Sequence, residues 1–326
     1  LKLKQLDLIA VLCYIFNMNK QELTGKELCG AWTALVTPFS RGRVNAGKIT
    51  ELVSFASNAN ITGVVPLGST GESASLDEFE RVVVISAVIE AANRKVDAAG
   101  GKLKVMVGVG TNNTTKTIVN VKQAADLGAD AVLVVAPYYS KPTPEGLRKH
   151  FLSIADVSPL PIVLYHIPSR CGVGIPMDLV VKLSKHPRII GIKEAGGDIW
   201  RSGEIARLTN DGFTVFSGDD PLTLPLMAVG ATGVISVISN IAPRQFGKMI
   251  SHCLIGDYKS ALEIHQRLSP LLNALGLETN PAPIKEAMNI TGMKVGKVRS
   301  PLAPVTAATR KVLRQVIEQT DEPHIG

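Results

Sequence analysis

From residue 32 onward, short apolar runs alternate with longer amphipathic stretches. The runs are WTALVTPF (32–39), GVVPLG (63–68), KVMVGVG (104–110), AVLVVAP (131–137), PIVLYHIP (161–168), RIIGIKEA (188–195), FTVFSGD (213–219) and GVISVIS (233–239). Most are rich in Val and Ile, and each closes on Gly, Pro or a polar residue, which is the pattern of buried strands. Between most of them lie helix-like segments such as ITELVSFASNAN (49–60) and DEFERVVVISAVIEAANRKV (77–96), with Asp77 placed to cap the second. Strands that alternate with helices call for a parallel sheet. Eight such units in about 210 residues match a closed (β/α)8 TIM barrel. An open doubly wound sheet usually carries a Gly-rich dinucleotide turn after its first strand. No G-x-G-x-x-G follows WTALVTPF, and the GVG of 108–110 leads into TNNTT instead. After residue 243 the strand signals stop, and KSALEIHQRLSPLLNALGL (259–277) and PIKEAMNITGM (283–293) read as helices. The expected organisation is therefore α/β: an N-terminal extension over 1–27, a barrel over 28–242 and a C-terminal helical region over 243–326.

Composition narrows the function classes. Of 326 residues, 45% are hydrophobic and 19% charged, enough to bury a core and too apolar for a disordered chain. The net charge of +7 comes from scattered Lys and Arg, and aromatics are only 5%. That suits a mildly basic surface that attracts anionic metabolites, not a nucleic-acid surface. Cys13, Cys29, Cys171 and Cys253 form no C-x-x-C pair and sit near no histidine cluster, so neither a metal site nor a disulfide framework is expected. Reduced thiols point to the cytoplasm. Residues 8–16, LIAVLCYIF after KLKQLD, look like a short signal h-region but cannot span a bilayer. No A-x-A site follows, and Leu12 before Cys13 is unsuited to lipoprotein processing. Met18 opens MNKQELTGKELCG as a plausible start, so the segment before it reads as an over-extension or a loosely attached tail.

In a (β/α)8 barrel the chemistry lies at the C-terminal ends of the strands. There the second run ends in Ser69, Thr70 and Glu72, and Tyr138 and Tyr139 follow the fourth. The fifth contains Tyr165 and leads to Arg170, the sixth contains Lys193, and the seventh ends in Asp219 and Asp220. Strand alternation puts Ile189, Gly191 and Lys193 on one face and Ile190 and Ile192 on the other. Lys193 then points into the barrel, with Gly191 leaving room below it. A lysine in an apolar mouth has its pKa lowered, and a neutral amine can attack a carbonyl carbon to form a Schiff base. A lysine that snorkels outward or pairs with Glu194 would read the same in isolation. Tyr165 shares the inward parity and can carry protons beside an imine. His166 has the opposite parity and reads as structural. Ser69 and Thr70 offer hydroxyls and backbone N–H groups to a carboxylate, and Arg170 can hold a second one.

These residues sit in motifs that are specific when taken together and in order: GSTGES (68–73), PYYSKP (137–142), YHIPSRCG (165–172), GIKEA (191–195), SGDD (217–220), GVISV (233–237) and ETNPAPIK (278–285). The sequence resembles the dihydrodipicolinate synthase and N-acetylneuraminate lyase family over roughly residues 28–318. The resemblance implies that Lys193 is the Schiff-base lysine for pyruvate and Tyr165 its proton shuttle. It implies that Ser69, Thr70, Gly218 and Ile235 surround the pyruvate site, and that Tyr139 crosses a subunit interface to complete a neighbour's relay. It implies that Arg170 binds the carboxylate of aspartate semialdehyde, as in the synthase branch. It also implies a homotetramer with no metal or organic cofactor, and small-molecule partners only, with neither nucleic acid nor membrane. Two positions depart from the synthase pattern. Ser69 stands where that branch usually has threonine and the sialic-acid lyase branch serine, though the hydroxyl needed for a Tyr165–Ser69–Tyr139 relay is kept. His166 stands where asparagine is common. Arg170 and Tyr139 favour the synthase branch, which serves lysine biosynthesis. An aldolase for a sialic acid or a 2-keto-3-deoxy sugar acid is the nearer rival, and a non-catalytic metabolite-binding barrel the more distant one.

Overall fold

The computed structural model describes residues 23–94 and 101–319. The eight apolar runs form eight parallel strands, β1 (Gly30–Ala34), β4 (Gly63–Val65), β5 (Lys104–Gly108), β6 (Ala131–Val135), β7 (Ile162–His166), β8 (Ile189–Glu194), β9 (Thr214–Ser217) and β10 (Gly233–Ser236). They pair in sequence order, and β1 closes the ring by pairing with both β4 and β10. A small antiparallel hairpin, β2 (Phe39–Ser40) with β3 (Arg43–Val44), sits outside the barrel. The helices that cover the sheet are α1 (Ala46–Ser57), α2 (Glu78–Asn93), α3 (Thr114–Asp126), α4 (Pro144–Ala155), α5 (Pro168–Cys171), α6 (Met177–Leu183), α7 (Ile199–Leu208), α8 (Thr223–Ala228) and α9 (Pro243–Leu254). Three more helices follow: α10 (Tyr258–Leu275), α11 (Ala282–Ile290) and α12 (Ala307–Glu318). Asp77 does cap α2, accepting from the Glu80 amide at 2.8 Å. No helix among the described residues is long and apolar enough to cross a membrane.

The first apolar run departs from its expected course. It leaves the sheet at Ala34 because its later amides are claimed elsewhere: Val36 N–H by the Asn240 side chain at 3.1 Å and Phe39 N–H by the Val295 carbonyl at 2.9 Å. The intervening Pro38 has no N–H to give. Below the barrel, Gly25–Leu28 forms a short 3-10 turn, and the buried Trp32 indole donates to the Leu28 carbonyl at 2.7 Å. Of the extension expected over residues 1–27, residues 1–22 lie outside the described residues.

The C-terminal helices are tied to the catalytic-end loops by a buried ion pair. Lys285 on α11 and Glu72, just past β4, each keep only 1% of their side chain exposed, with Nζ 2.7 Å from Oε1. Lys285 also donates to the carbonyls of Thr37 at 3.0 Å and Lys297 at 3.1 Å, and its Nζ lies 4.3 Å from the Phe39 ring centroid. Glu72 Oε2 accepts from the Arg299 amide at 2.8 Å. Removing one member strands the other charge inside the protein, at a cost of about 3–5 kcal/mol. Lys285→Met should therefore lower the urea midpoint markedly, and Lys285→Met with Glu72→Gln should regain part of the loss. A single variant as stable as the wild type in far-UV circular dichroism would show the pair to be unimportant.

Candidate active site

Two adjacent strands carry the central pair. Tyr165 on β7 and Lys193 on β8 are register partners, so parallel pairing alone sets them side by side at the same level. Both side chains face the barrel interior, Tyr165 5% and Lys193 6% exposed, and Lys193 Nζ lies 4.5 Å from the Tyr165 ring centroid. Burial pulls the Lys193 ammonium down to about 8. The Asp220 carboxylate opposes that shift and the Arg170 guanidinium adds to it. Burial pushes the Tyr165 phenol up to about 12, against the effects of Arg170 and of a hydrogen bond with the Ser69 hydroxyl. Near neutral pH the site thus holds an amine that can lose its proton beside a phenol that keeps its own.

The chamber is a cavity of about 350 Å³ at the C-terminal ends of the strands. Ser69, Thr70, Tyr165, Arg170, Lys193, Gly218 and Ile235 all line it. A second cavity of about 360 Å³ shares Ser69, Tyr165 and Arg170 with it and extends past Tyr138 and Arg81. Thr70 accepts from the Asn280 amide at 2.9 Å, and the Arg170 guanidinium donates to the Asn280 carbonyl at 3.0 Å. Asn280, in the ETNPAPIK motif, therefore holds two site residues through its side chain and its backbone. Its place in the motif was visible in the sequence, but which loops it would bridge was not. Tyr139 is not brought to the chamber. It stands 88% exposed, with a left-handed φ of 71°.

Two glycines differ in what they do. A Cβ on Gly218 would fall 2.7 Å from the Ala195 Cβ and 3.0 Å from Lys193 Cε, so this glycine clears the space that the lysine occupies. Gly191, expected to make room below Lys193, answers to another constraint: a Cβ there would fall 2.7 Å from the Thr214 carbonyl oxygen of the neighbouring strand. His166 faces away from the chamber. Its Nδ1 accepts from the Ile175 amide at 3.0 Å and its Nε2 lies 3.3 Å from Glu194 Oε1. Glu194 in turn meets Arg201 Nε at 3.0 Å. This Glu194 contact, made on the outer face, leaves Lys193 to the interior.

A model of the dihydrodipicolinate synthetase family matches residues 27–320. The chain belongs to this family. It is 44% identical over 301 residues to the 4-hydroxy-tetrahydrodipicolinate synthase of Methanospirillum hungatei, covering 90% of this chain and 99% of that one. It is 43% identical over 283 residues to the synthase of Methanosarcina acetivorans, covering 86% and 94%. Among solved structures, dihydrodipicolinate synthase from Aquifex aeolicus superposes with a TM-score of 0.86 at 38% identity, covering 89% of this chain and 97% of that one. The enzyme from Thermotoga maritima gives 0.85 at 39% identity, covering 89% and 98%. Within this family member, the contact between Gly218 and Lys193 makes a direct prediction. Gly218→Ala must push the lysine aside, and a misplacement of about 1 Å at a reacting group can cost about a hundredfold in rate. Imine formation with pyruvate, followed by borohydride trapping, should slow by about that factor while circular dichroism stays native. Trapping at the wild-type rate would mean that the lysine does not need this space.

Proposed function

We propose that this chain is a 4-hydroxy-tetrahydrodipicolinate synthase, which joins pyruvate to aspartate 4-semialdehyde through an imine on Lys193. The observation that carries the reading is the buried Lys193 amine against Tyr165, in a chamber that Arg170 also lines. The pyruvate carboxylate takes the hydroxyls and backbone N–H groups around Ser69 and Thr70, with Gly218 and Ile235 framing the rest of the small substrate. The Lys193 lone pair attacks the keto carbon, Tyr165 passes a proton to the departing oxygen, and water leaves. Loss of a methyl proton turns the imine into an enamine. Its terminal carbon bonds to the aldehyde carbon, and the aldehyde oxygen takes up a proton. The amino group of the second substrate then attacks the imine carbon, the bond to Lys193 breaks, the ring closes and the lysine is free. The imine is itself the electron sink, so this route uses neither a metal nor an organic cofactor.

Arg170 holds the carboxylate of the semialdehyde, and Tyr139 completes the Tyr165–Ser69 relay of a neighbouring subunit within a cytoplasmic homotetramer. In this reading residues 28–242 are the catalytic barrel and 243–326 the helical region that braces it. Ser69 favours one other reading, the sialic-acid lyase branch. A substrate panel of aspartate semialdehyde, N-acetylmannosamine and glyceraldehyde, each offered with pyruvate, separates the two.

Borohydride added with pyruvate should leave one covalent adduct, mapped by mass spectrometry to Lys193, and Lys193→Ala should be inactive. An adduct on another residue sinks the proposal. Arg170→Ala should lose about tenfold to hundredfold in kcat/KM for aspartate semialdehyde, the worth of a hydrogen bond between charged groups, while pyruvate is still trapped at a near-normal rate. Equal losses in both half-reactions would remove Arg170 from its assigned role.

A further inference from the structure

Two hydroxyls stand next to each other in the loop after β4, and their surroundings give them separate tasks. The Ser69 hydroxyl is hydrogen-bonded with the Tyr165 phenol. Thr70, which lines the chamber with Lys193, meets a residue 210 positions further along the chain. That residue is Asn280, in the loop between α10 and α11, whose side-chain amide donates to Thr70 Oγ1 at 2.9 Å. A threonine hydroxyl has one proton to give and lone pairs to receive. Asn280 occupies the receiving side, so the Thr70 proton is left for another partner. The amide has a preferred orientation. As it stands, its Oδ1 is buried with no hydrogen-bond partner among the described residues. The flipped amide would take the Thr70 proton and strand its own N–H donors instead. Buried N–H groups go unpaired more rarely than carbonyl oxygens, which favours Nδ2 on Thr70.

We propose that Asn280 is a positioning residue for pyruvate: by donating to Thr70 Oγ1, it turns the Thr70 proton toward the substrate carboxylate. This rests on the placement of pyruvate given above and names the residue that prepares its hydroxyl donor. A hydroxyl that already accepts a hydrogen bond donates more strongly, because bonds in a chain polarise one another. It also has fewer directions in which to point its proton. The backbone of Asn280 serves the other substrate, since its carbonyl accepts from the Arg170 guanidinium at 3.0 Å. Side chain and backbone of one residue thus attend to the two substrate carboxylates separately. A substitution of the side chain touches the first and spares the second.

The test is a double-mutant cycle read by borohydride trapping of subsaturating pyruvate on Lys193. Thr70→Val removes the hydroxyl and should slow trapping about tenfold to hundredfold, the range for a hydrogen bond to a charged group. Asn280→Ala keeps the hydroxyl but lets it turn, and should slow trapping about threefold to tenfold. On the Thr70→Val background, Asn280→Ala should change the rate by less than about twofold, because no proton is left to orient. In Asn280→Ala alone, kcat/KM for aspartate semialdehyde should stay within about twofold of the wild type, since Arg170 keeps its backbone partner. Trapping by Asn280→Ala at or above the wild-type rate would mean that the amide had been taking the Thr70 proton, and overturns the inference. Losses that persist on the Thr70→Val background, or fall equally on both substrates, mark a merely structural role and overturn it too. Wild-type trapping by Thr70→Val overturns the placement of pyruvate, and the inference with it. Should Asn280→Ala not fold, a crystal of the wild type trapped with pyruvate decides. Thr70 Oγ1 should lie within hydrogen-bond reach of both the carboxylate and Asn280 Nδ2. A carboxylate bound elsewhere sinks the placement of pyruvate, and a Thr70 that has let go of Asn280 sinks the positioning role.

Discussion

The catalytic end of this barrel is held by the ion pair between Lys285 and Glu72. All three ammonium donors have partners, in Glu72, Thr37 and Lys297, and both Glu72 oxygens are engaged, one by Lys285 and one by the Arg299 amide. A fully satisfied buried pair adds little net stability over an apolar one, but it tolerates only one arrangement of the segments it joins. Here the segments are the loop after β4, the hairpin around Phe39 and helix α11. Glu72 sits in a left-handed turn with φ 52°, two residues beyond Thr70, so the pair sets the height and direction of the hydroxyl loop. The same α11 segment begins beside Asn280, which reaches Thr70 and Arg170. The helices beyond the barrel are thus part of the site's construction and not a separate attachment.

Within the chamber the charges are few and close. Arg170 contributes a fixed positive charge, and Asp220, pushed up to about 6 by burial, a negative one that backbone donors hold in place. Lys193 lies between these influences at about 8, well below an ordinary lysine. Burial therefore does most of the activation, with the Asp220 carboxylate opposing it and the Arg170 guanidinium adding a smaller effect in the same direction as burial. Tyr165 keeps its proton across this range, as the proton donor proposed for it would need to.

The inward parity of Tyr165 and Lys193 was legible from strand alternation, because a parallel barrel repeats one side-chain rule on every strand. The outward turn of His166 followed from the same rule, and its bond to the Ile175 amide has the structural character that parity suggested. The N-cap of α2 was legible because it depends on residues three apart. What escaped was long-range or steric. Glu72 and Lys285 are 213 residues apart, and nothing in either motif names the other. The hairpin at Phe39 arises because Asn240 and Val295 claim amides that would otherwise have continued the first strand. Gly191 looked like space for its own strand's lysine, but its constraint comes from Thr214 next door, which only the register reveals.

Tyr139 shows why one chain is an insufficient frame for the proposed relay. A tyrosine backbone in the left-handed region is strained, and such strain persists only where the surroundings impose it. The conformation aims a large apolar ring into solvent, 88% exposed, while Tyr138 beside it lines the second cavity. Within a single chain this arrangement gains nothing: the ring packs on no core, and the hydroxyl does not reach the chamber that holds Ser69 and Tyr165. Covering the ring with a second copy would return the hydrophobic free energy of an aromatic side chain, roughly 1.5–3 kcal/mol, which is comparable to the roughly 1–3 kcal/mol cost of such a backbone. The strain and the exposure are both consistent with the proposed role of Tyr139 at a neighbouring subunit.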